Sequence, residues 1–185
     1  MLDIDFKNTK AVIFGKGPSF CNPIKQKNEI HICVNDSINS IDSPDVVVFN
    51  DMESLYKIEQ EKLDIVKLIV LPYRPHSHDR AKNRKFIWEE LKDTVNYKNE
   101  WFPYNLKSSP PFGDLPKFES ALTSSNTAVE WAILMGIKEI KTYGIGGKPG
   151  YHSSFKKSTG GYNIERIRKE IEDRCSKNNV KLTML

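Results

Sequence analysis

Short apolar runs, each cut off by turn residues, recur along the first part of the chain. Ala11 to Phe14 is a compact run with β-branched residues, and Gly15 ends it. In Glu29 to Asn35, Ile30, Ile32 and Val34 alternate with His31, Cys33 and Asn35. Asp45 to Phe49 is a continuous Val-rich run, and Ile65 to Leu71 is another, stopped by Pro72. Alternating or continuous runs of this length predict strands, and the continuous ones predict strands buried on both faces. Between them, residues 52–63 place Met52, Leu55, Ile58 or Glu59, and Leu63 at helical spacing. Residues 20–29 read as a polar connection.

The second half continues the pattern. Thr123 to Met135 predicts a helix, with Ala128, Trp131, Ala132 and Met135 on one face and Gly136 as its stop. Glu139 to Tyr143 predicts a strand that runs into Gly144-Ile145-Gly146-Gly147. Asn163 to Cys175 predicts an amphipathic helix on Ile164, Ile167, Ile171 and Cys175, and Val180 to Leu185 a closing strand. Strand, crossover, strand at short intervals predicts an α/β fold: one Rossmann-like domain over residues 1–185, its mainly parallel sheet flanked by helices. Residues 72–120 break the pattern. Two prolines and a basic run open the segment, a helix is expected near Phe86 to Leu91 and a short strand near Thr94 to Tyr97. Four prolines among Trp101, Phe102, Tyr104 and Phe112 then predict an irregular lid or insert on the acceptor side.

Composition narrows the setting. A length of 185 residues suits one domain with a core of its own. The net charge of +4 is compatible with an anionic ligand and does not require a nucleic acid. Cys21, Cys33 and Cys175 match no zinc spacing and read as free thiols of a reducing, cytoplasmic compartment. No apolar stretch approaches the roughly 20 residues that span a bilayer, and Met1 to Asp5 lacks a signal-peptide pattern.

In such sheets ligands bind beyond the carboxyl ends of the strands, and the candidate chemistry collects there. The first strand ends in Gly15-Lys16-Gly17-Pro18-Ser19, the second in Asn35-Asp36-Ser37 and the third in Asn50-Asp51. Glycines let a backbone approach a ligand closely, Lys16 adds a cation and Ser19 a hydroxyl, which suits a phosphate. The same residues also make a plain strand-to-loop turn. Thr123, Ser124 and Ser125 open the long helix, either as ordinary caps or as an anion site. The loop after the glycines at 144–147 carries Tyr151 and His152, and Tyr143, Tyr151 and Tyr162 offer hydroxyls. Arg74, Arg80 and Arg84 are candidate phosphate contacts. His76, His78 and Asp79 have a metal-like spacing without a further cluster to complete it.

The order Gly-x-Gly-Pro-Ser, C-V-N-D, F-N-D, T-S-S and Y-G-I over residues 11–51 and 121–152 resembles the bacterial CMP-sialic-acid-dependent sialyltransferases. It also resembles the wider group that includes 6-hydroxymethylpterin diphosphokinase-like proteins. The resemblance implies a nucleotide-activated sugar held without a metal and with no other cofactor. The resemblance places Gly15, Lys16, Gly17, Pro18, Ser19, Asn35, Asn50, Thr123, Ser124, Gly144 and Ile145 at the nucleotide site, and Asp36, Ser125, Gly146, Tyr151 and Tyr162 join them as candidates from the residues themselves. It implies His152 as general base. The chain departs from the sialyltransferase pattern at Lys16, where Asn is usual, at Ser125, where Gly is usual, and at Gly146, where Asp is usual.

The sequence therefore leads to a glycosyltransferase that moves a sugar from a CMP-sugar-like donor to an acceptor hydroxyl of a glycan or a modified nucleobase, without membrane insertion. A diphosphokinase-like enzyme is the alternative. It would use Mg²⁺ on ATP phosphates, with Asp36 and Asp51 as ligands. A nucleotide-binding protein without chemistry is a third reading.

Overall fold

The alternation in the first strand sets up both layers of the core. In β1 (Lys10–Phe14), Ala11 and Ile13 point into one apolar layer and Val12 and Phe14 into the other. The same division holds along β2 (Glu29–Val34), β3 (Val46–Val48) and β4 (Leu68–Pro72): Ile32, Val46 and Val70 share the first layer, Cys33, Val47 and Leu71 the second. Both faces are apolar because both are covered, as a parallel sheet requires. The computed structural model describes residues 5–55, 57–73, 99–107, 110–118, 123–146, 150–155 and 163–185.

The remaining strands are β5 (Glu100–Leu106), β6 (Lys117–Phe118), β7 (Glu139–Tyr143) and β8 (Lys181–Met184). They form one eight-stranded sheet in the order β6-β5-β4-β3-β2-β1-β7-β8. Every pairing is parallel. The protein is thus an α/β fold of Rossmann-like form. From β1 the chain steps outward through β2, β3 and β4, and later returns to β1's other side with β7 and β8. Connections therefore leave β1 and β7 in opposite directions, the arrangement that opens a crevice at the strands' carboxyl ends.

The helices α1 (Met52–Leu55) and α2 (Gln60–Ile65) lie between β3 and β4. The single helix expected over 52–63 is thus split in two, and β4 starts three residues later than the apolar run, because Ile65 belongs to α2. The long helix α3 (Ser124–Leu134) lays Ala128, Val129, Trp131 and Ala132 on the first layer. Thr123 caps it by accepting the Asn126 N–H at 3.3 Å, which satisfies one of its free amides. Past its end Gly136 sits at φ +86°. Helix α4 (Ile164–Lys177) buries Ile171 and Cys175 beside it, capped by Asn163. Burial pushes the Cys175 thiol up to about 11.

Among the described residues, Phe20 of the β1–β2 loop, Ile38 of the 3-10 turn Asn35–Ser40, Leu55, Ile58 and Leu63 close the second layer. Near the other end of the sheet, Asp45 is 3% exposed. It accepts the His31 N–H at 2.8 Å and pairs with Lys25 and, at 3.4 Å, with Lys67. Among the described residues no helix is long and apolar enough to cross a membrane.

The main departure from the sequence reading is β5 with β6. The segment 98–120 reads as irregular because Pro103 sits inside a run of aromatics, and proline lacks the N–H that a central strand needs. Pro103 pairs with Leu71 of β4 on one side, while β6 pairs only with Asn105 and Leu106 on the other. Among the described residues the strand is a local edge at Pro103, where proline is tolerated. The helix and strand expected within 86–97 lie outside the described residues.

Candidate functional site

The glycine loop after β1 closes first on β7. Gly15 N–H donates to the Tyr143 carbonyl and Gly17 N–H to the Gly144 carbonyl, each at 2.8 Å. Ser19 Oγ accepts the Gly144 N–H at 3.0 Å and donates to the Leu185 carbonyl. A Cβ on Gly15 would stand 2.4 Å from the Gly144 oxygen, and one on Gly17 would stand 2.8 Å from it. The two glycines are therefore needed for the approach of β7, and their amides are taken up by it. Gly144, at φ +66°, supplies the matching turn. Ile145 is core, 3% exposed.

Above this clasp the polar groups gather. Lys16 Nζ lies 2.6 Å from Asp36 Oδ1, with the two side chains 20% and 24% exposed. The same ammonium stands 5.7 Å from the centre of the Tyr151 ring. Asn35, just before Asp36, is at φ +55°, a conformation uncommon for any residue with a Cβ and one in which Asn is enriched. Its Oδ1 is buried and has no hydrogen-bond partner among the described residues. A buried acceptor left unpaired costs about 1–3 kcal/mol, so a ligand donor at this point would recover that energy. Ser37 holds the end of β2 against β1. Its hydroxyl donates to the Phe14 carbonyl at 2.8 Å and accepts the Val34 N–H at 3.0 Å.

The loop after β7 folds back over the same place. His152 N–H donates to the Lys16 carbonyl at 2.9 Å. The imidazole lies 5.6 Å from the Phe20 ring, centre to centre, and Phe155 packs on Phe20 at 4.8 Å. His152 Nδ1 is 3.1 Å from Ser154 Oγ. Nδ1 also accepts the Ser154 N–H at 3.3 Å, so in the neutral ring the proton sits on Nε2. The structure thus brings together Gly15, Lys16, Gly17, Pro18, Ser19, Asn35, Asp36, Gly144, Tyr151 and His152.

A second group forms at the ends of β3 and β5. Asn50 N–H donates to Ser124 Oγ at 3.0 Å, and Asn50 Oδ1 accepts the hydroxyls of Tyr104 and, at 3.2 Å, Thr127. Burial drives the Tyr104 phenol well above its ordinary range, so it stays a donor. Asn50 and Ser124 meet as expected, but they bond to one another and tie β3 to α3. Thr123 is engaged as the helix cap, while Ser125 is half-buried in the first turn. Sequence reading missed Tyr104 and Thr127. Tyr104 was legible only as one aromatic among prolines. Thr127 sits one helical turn after the Thr123 cap, which was a usable signal.

Gly146 is at φ +68°, beside Met184 and Arg168. Tyr162, Arg74, Arg80, Arg84, His76, His78 and Asp79 lie outside the described residues. Among the described residues no three His, Cys, Asp or Glu side chains gather where they could hold a metal.

No family model matches the chain, and no curated protein sequence matches it. Among solved structures it is similar to the thiamine pyrophosphokinase of Bacillus subtilis, at 11% identity and a TM-score of 0.44, over 96% of this chain and 60% of that one. The chain spans well under two thirds of that protein's length. A likeness this distant carries no argument about chemistry.

Proposed function

We propose that the protein is a transferase that holds a nucleotide-phosphate substrate over the carboxyl ends of β1, β2 and β7. One observation carries the reading: the Lys16–Asp36 ion pair stands at the crevice beside the unpartnered Asn35 Oδ1, with His152 anchored to the Lys16 carbonyl. A cation, a vacant acceptor and an imidazole are what a phosphate leaving group and an acceptor hydroxyl require.

In the main reading the substrate is a nucleotide-activated sugar. The acceptor oxygen attacks the anomeric carbon, and the bond from that carbon to the phosphate oxygen breaks. The hydroxyl proton passes to the His152 imidazole. Lys16 meets the charge that builds on the departing phosphate. Asp36 fixes the ammonium over the crevice before substrate arrives. The acceptor is a glycan or a modified nucleobase.

A second reading, diphosphoryl transfer, is favoured by Asp36 and Asp51, which follow neighbouring strands of the same edge. These two carboxylates would hold Mg²⁺, which would supply positive charge against the nucleotide phosphates.

A thermal-shift screen of CMP-, UDP-, GDP- and ATP-type ligands, with and without Mg²⁺, tests the proposal. A ligand that binds the folded state raises the melting temperature by mass action. A shift that survives chelator, is reduced in Lys16→Ala and accompanies sugar transfer abolished in His152→Ala supports glycosyl transfer. A shift that needs Mg²⁺ and is lost in Asp36→Asn moves the assignment to diphosphoryl transfer. No shift with any nucleotide overturns both.

A further inference from the structure

The loop between β5 and β6 is built around one buried side chain. Asn105, 5% exposed, donates through Nδ2 to the carbonyls of Phe112 and Leu115 at 3.2 and 3.1 Å. Its Oδ1 accepts the Phe112 N–H at 2.9 Å, and its own N–H donates to the Pro116 carbonyl at 2.7 Å. Four hydrogen bonds to one residue fix a loop already stiffened by Pro110, Pro111 and Pro116. The loop holds Phe112 flat against Tyr73, with the ring centres 3.8 Å apart and the planes 11° from parallel. Tyr73 is 6% exposed and Phe112 46%. A large aromatic ring is therefore held rigidly on a stacked backing while nearly half its surface faces outward.

Its position gives the ring a use. Tyr73 directly follows β4, and its N–H donates to the Tyr104 carbonyl of β5 at 2.8 Å. The platform thus stands at the carboxyl edge that also carries Lys16 and Asp36. Neighbouring strands lie about 4.8 Å apart, so the end of β4 is roughly 10 Å from the end of β2, which is followed by Asp36, the partner of the Lys16 ammonium. A nucleotide bound through its phosphate at Lys16 can cover that distance with its ribose and base.

We infer that Phe112, backed by Tyr73, is the stacking surface for the heteroaromatic base of the bound nucleotide. The inference rests on the nucleotide reading above and adds the base subsite. Stacking on a phenyl face is tolerant of base identity, because every base has a π-face. The loop contributes affinity more than selectivity.

Isothermal titration with AMP, CMP, GMP, UMP and ribose 5-phosphate separates the two claims. Ribose 5-phosphate has the phosphate and no base. Phe112→Ala should weaken nucleoside monophosphate binding roughly 5- to 150-fold, the range expected for one base stacked on one aromatic ring, and leave ribose 5-phosphate unchanged. Phe112→Leu, apolar but not planar, should weaken the same ligands. Phe112→Trp should retain them and show quenched fluorescence on binding. Lys16→Ala should weaken every probe. Nucleotide affinities unaltered in Phe112→Ala and Phe112→Leu, with Lys16→Ala still impaired, would overturn the base subsite and leave the nucleotide reading standing. No binding of any nucleoside monophosphate to the unmodified protein would overturn both.

Discussion

Replacing Gly15 by alanine tests whether the glycines after β1 serve a ligand or the sheet. The new Cβ would lie 2.4 Å from the Gly144 oxygen and 2.6 Å from Ile145 Cγ1. Neither contact is tolerable, and one partner is backbone, so the β7 turn must move away. That movement strains two 2.8 Å hydrogen bonds, Gly15 N–H to Tyr143 and Gly17 N–H to Gly144. Losing them costs about 0.5–1.5 kcal/mol each, and forcing an extra carbon into a packed place adds about 1–3 kcal/mol. Gly15→Ala should therefore destabilise the protein by about 2–6 kcal/mol, or roughly 4–24 °C in melting temperature for a chain of this size. Thermal and urea unfolding without ligand measure it. Gly113→Ala is the control. Nothing lies within 4 Å of its added Cβ, and only its φ of +52° opposes the change, at about 1–2 kcal/mol. If Gly15→Ala melted within about 2 °C of the unmodified protein while nucleotide affinity fell, the steric argument would be refuted and the glycines would serve ligand approach instead.

Thr142 is fully buried and its Oγ1 has no hydrogen-bond partner among the described residues; Thr142→Val removes that hydroxyl at nearly constant shape and should raise stability by about 1 kcal/mol in urea titration. Asn105→Ala should cost about 1.5–4.5 kcal/mol through three lost side-chain hydrogen bonds and speed amide exchange at Phe112, and native-like protection there would contradict the loop's dependence on that side chain. His31 is 1% exposed, stacks edge-on against Phe14 at 5.0 Å, and has Glu29 3.8 Å from Nε2, too far for a hydrogen bond. Burial, helped by Lys25 and opposed by Asp45 and Glu29, holds its pKa below the ordinary 6.5. The unfolded chain then takes up the proton first, so this contribution to stability is complete above pH 6.5 and declines as pH falls from there toward the folded pKa. Urea midpoints between pH 7.5 and 5 should fall more steeply for the native protein than for His31→Phe, and parallel curves would refute the assignment.

Much of the sheet was legible in the chain. β1, β3 and β4 are buried on both faces and announce themselves as continuous apolar runs, β2, β7 and β8 show apolar positions alternating with polar ones, and α3 and α4 were visible from their caps and periodicity. β5 was hidden by Pro103, whose tolerance depends on how short β6 is, a property of the neighbour and not of the segment. The site was legible as a list of strand ends and less so as a set of roles. Gly15 and Gly17 looked like ligand glycines, and only the β1–β7 pairing shows what fills the space beside them. Asn50 and Ser124 carry the right chemistry for a ligand, yet they stand 74 residues apart in sequence and satisfy one another. No local pattern encodes which polar groups at a sheet edge will meet.

The position of β7 beside β1 also sets the order in which the crevice comes into being. The Gly144–Ser19 contact joins residues 125 positions apart, whereas the Ser37–Phe14 contact joins residues only 23 apart. On the logarithmic loop-closure law these cost about 4.3 and about 2.8 kcal/mol of chain entropy, so β1 pairs more cheaply with β2 than with β7. A chain emerging from the ribosome can assemble β1 through β4 while one flank of β1 still lacks its partner. That open flank is a sticky strand edge in the nascent molecule. Lys16 and Asp36 can pair at that stage, but Tyr151 and His152 reach them only when the last part of the chain docks. Translation past residue 152 is therefore the step that turns a half-sheet into a site.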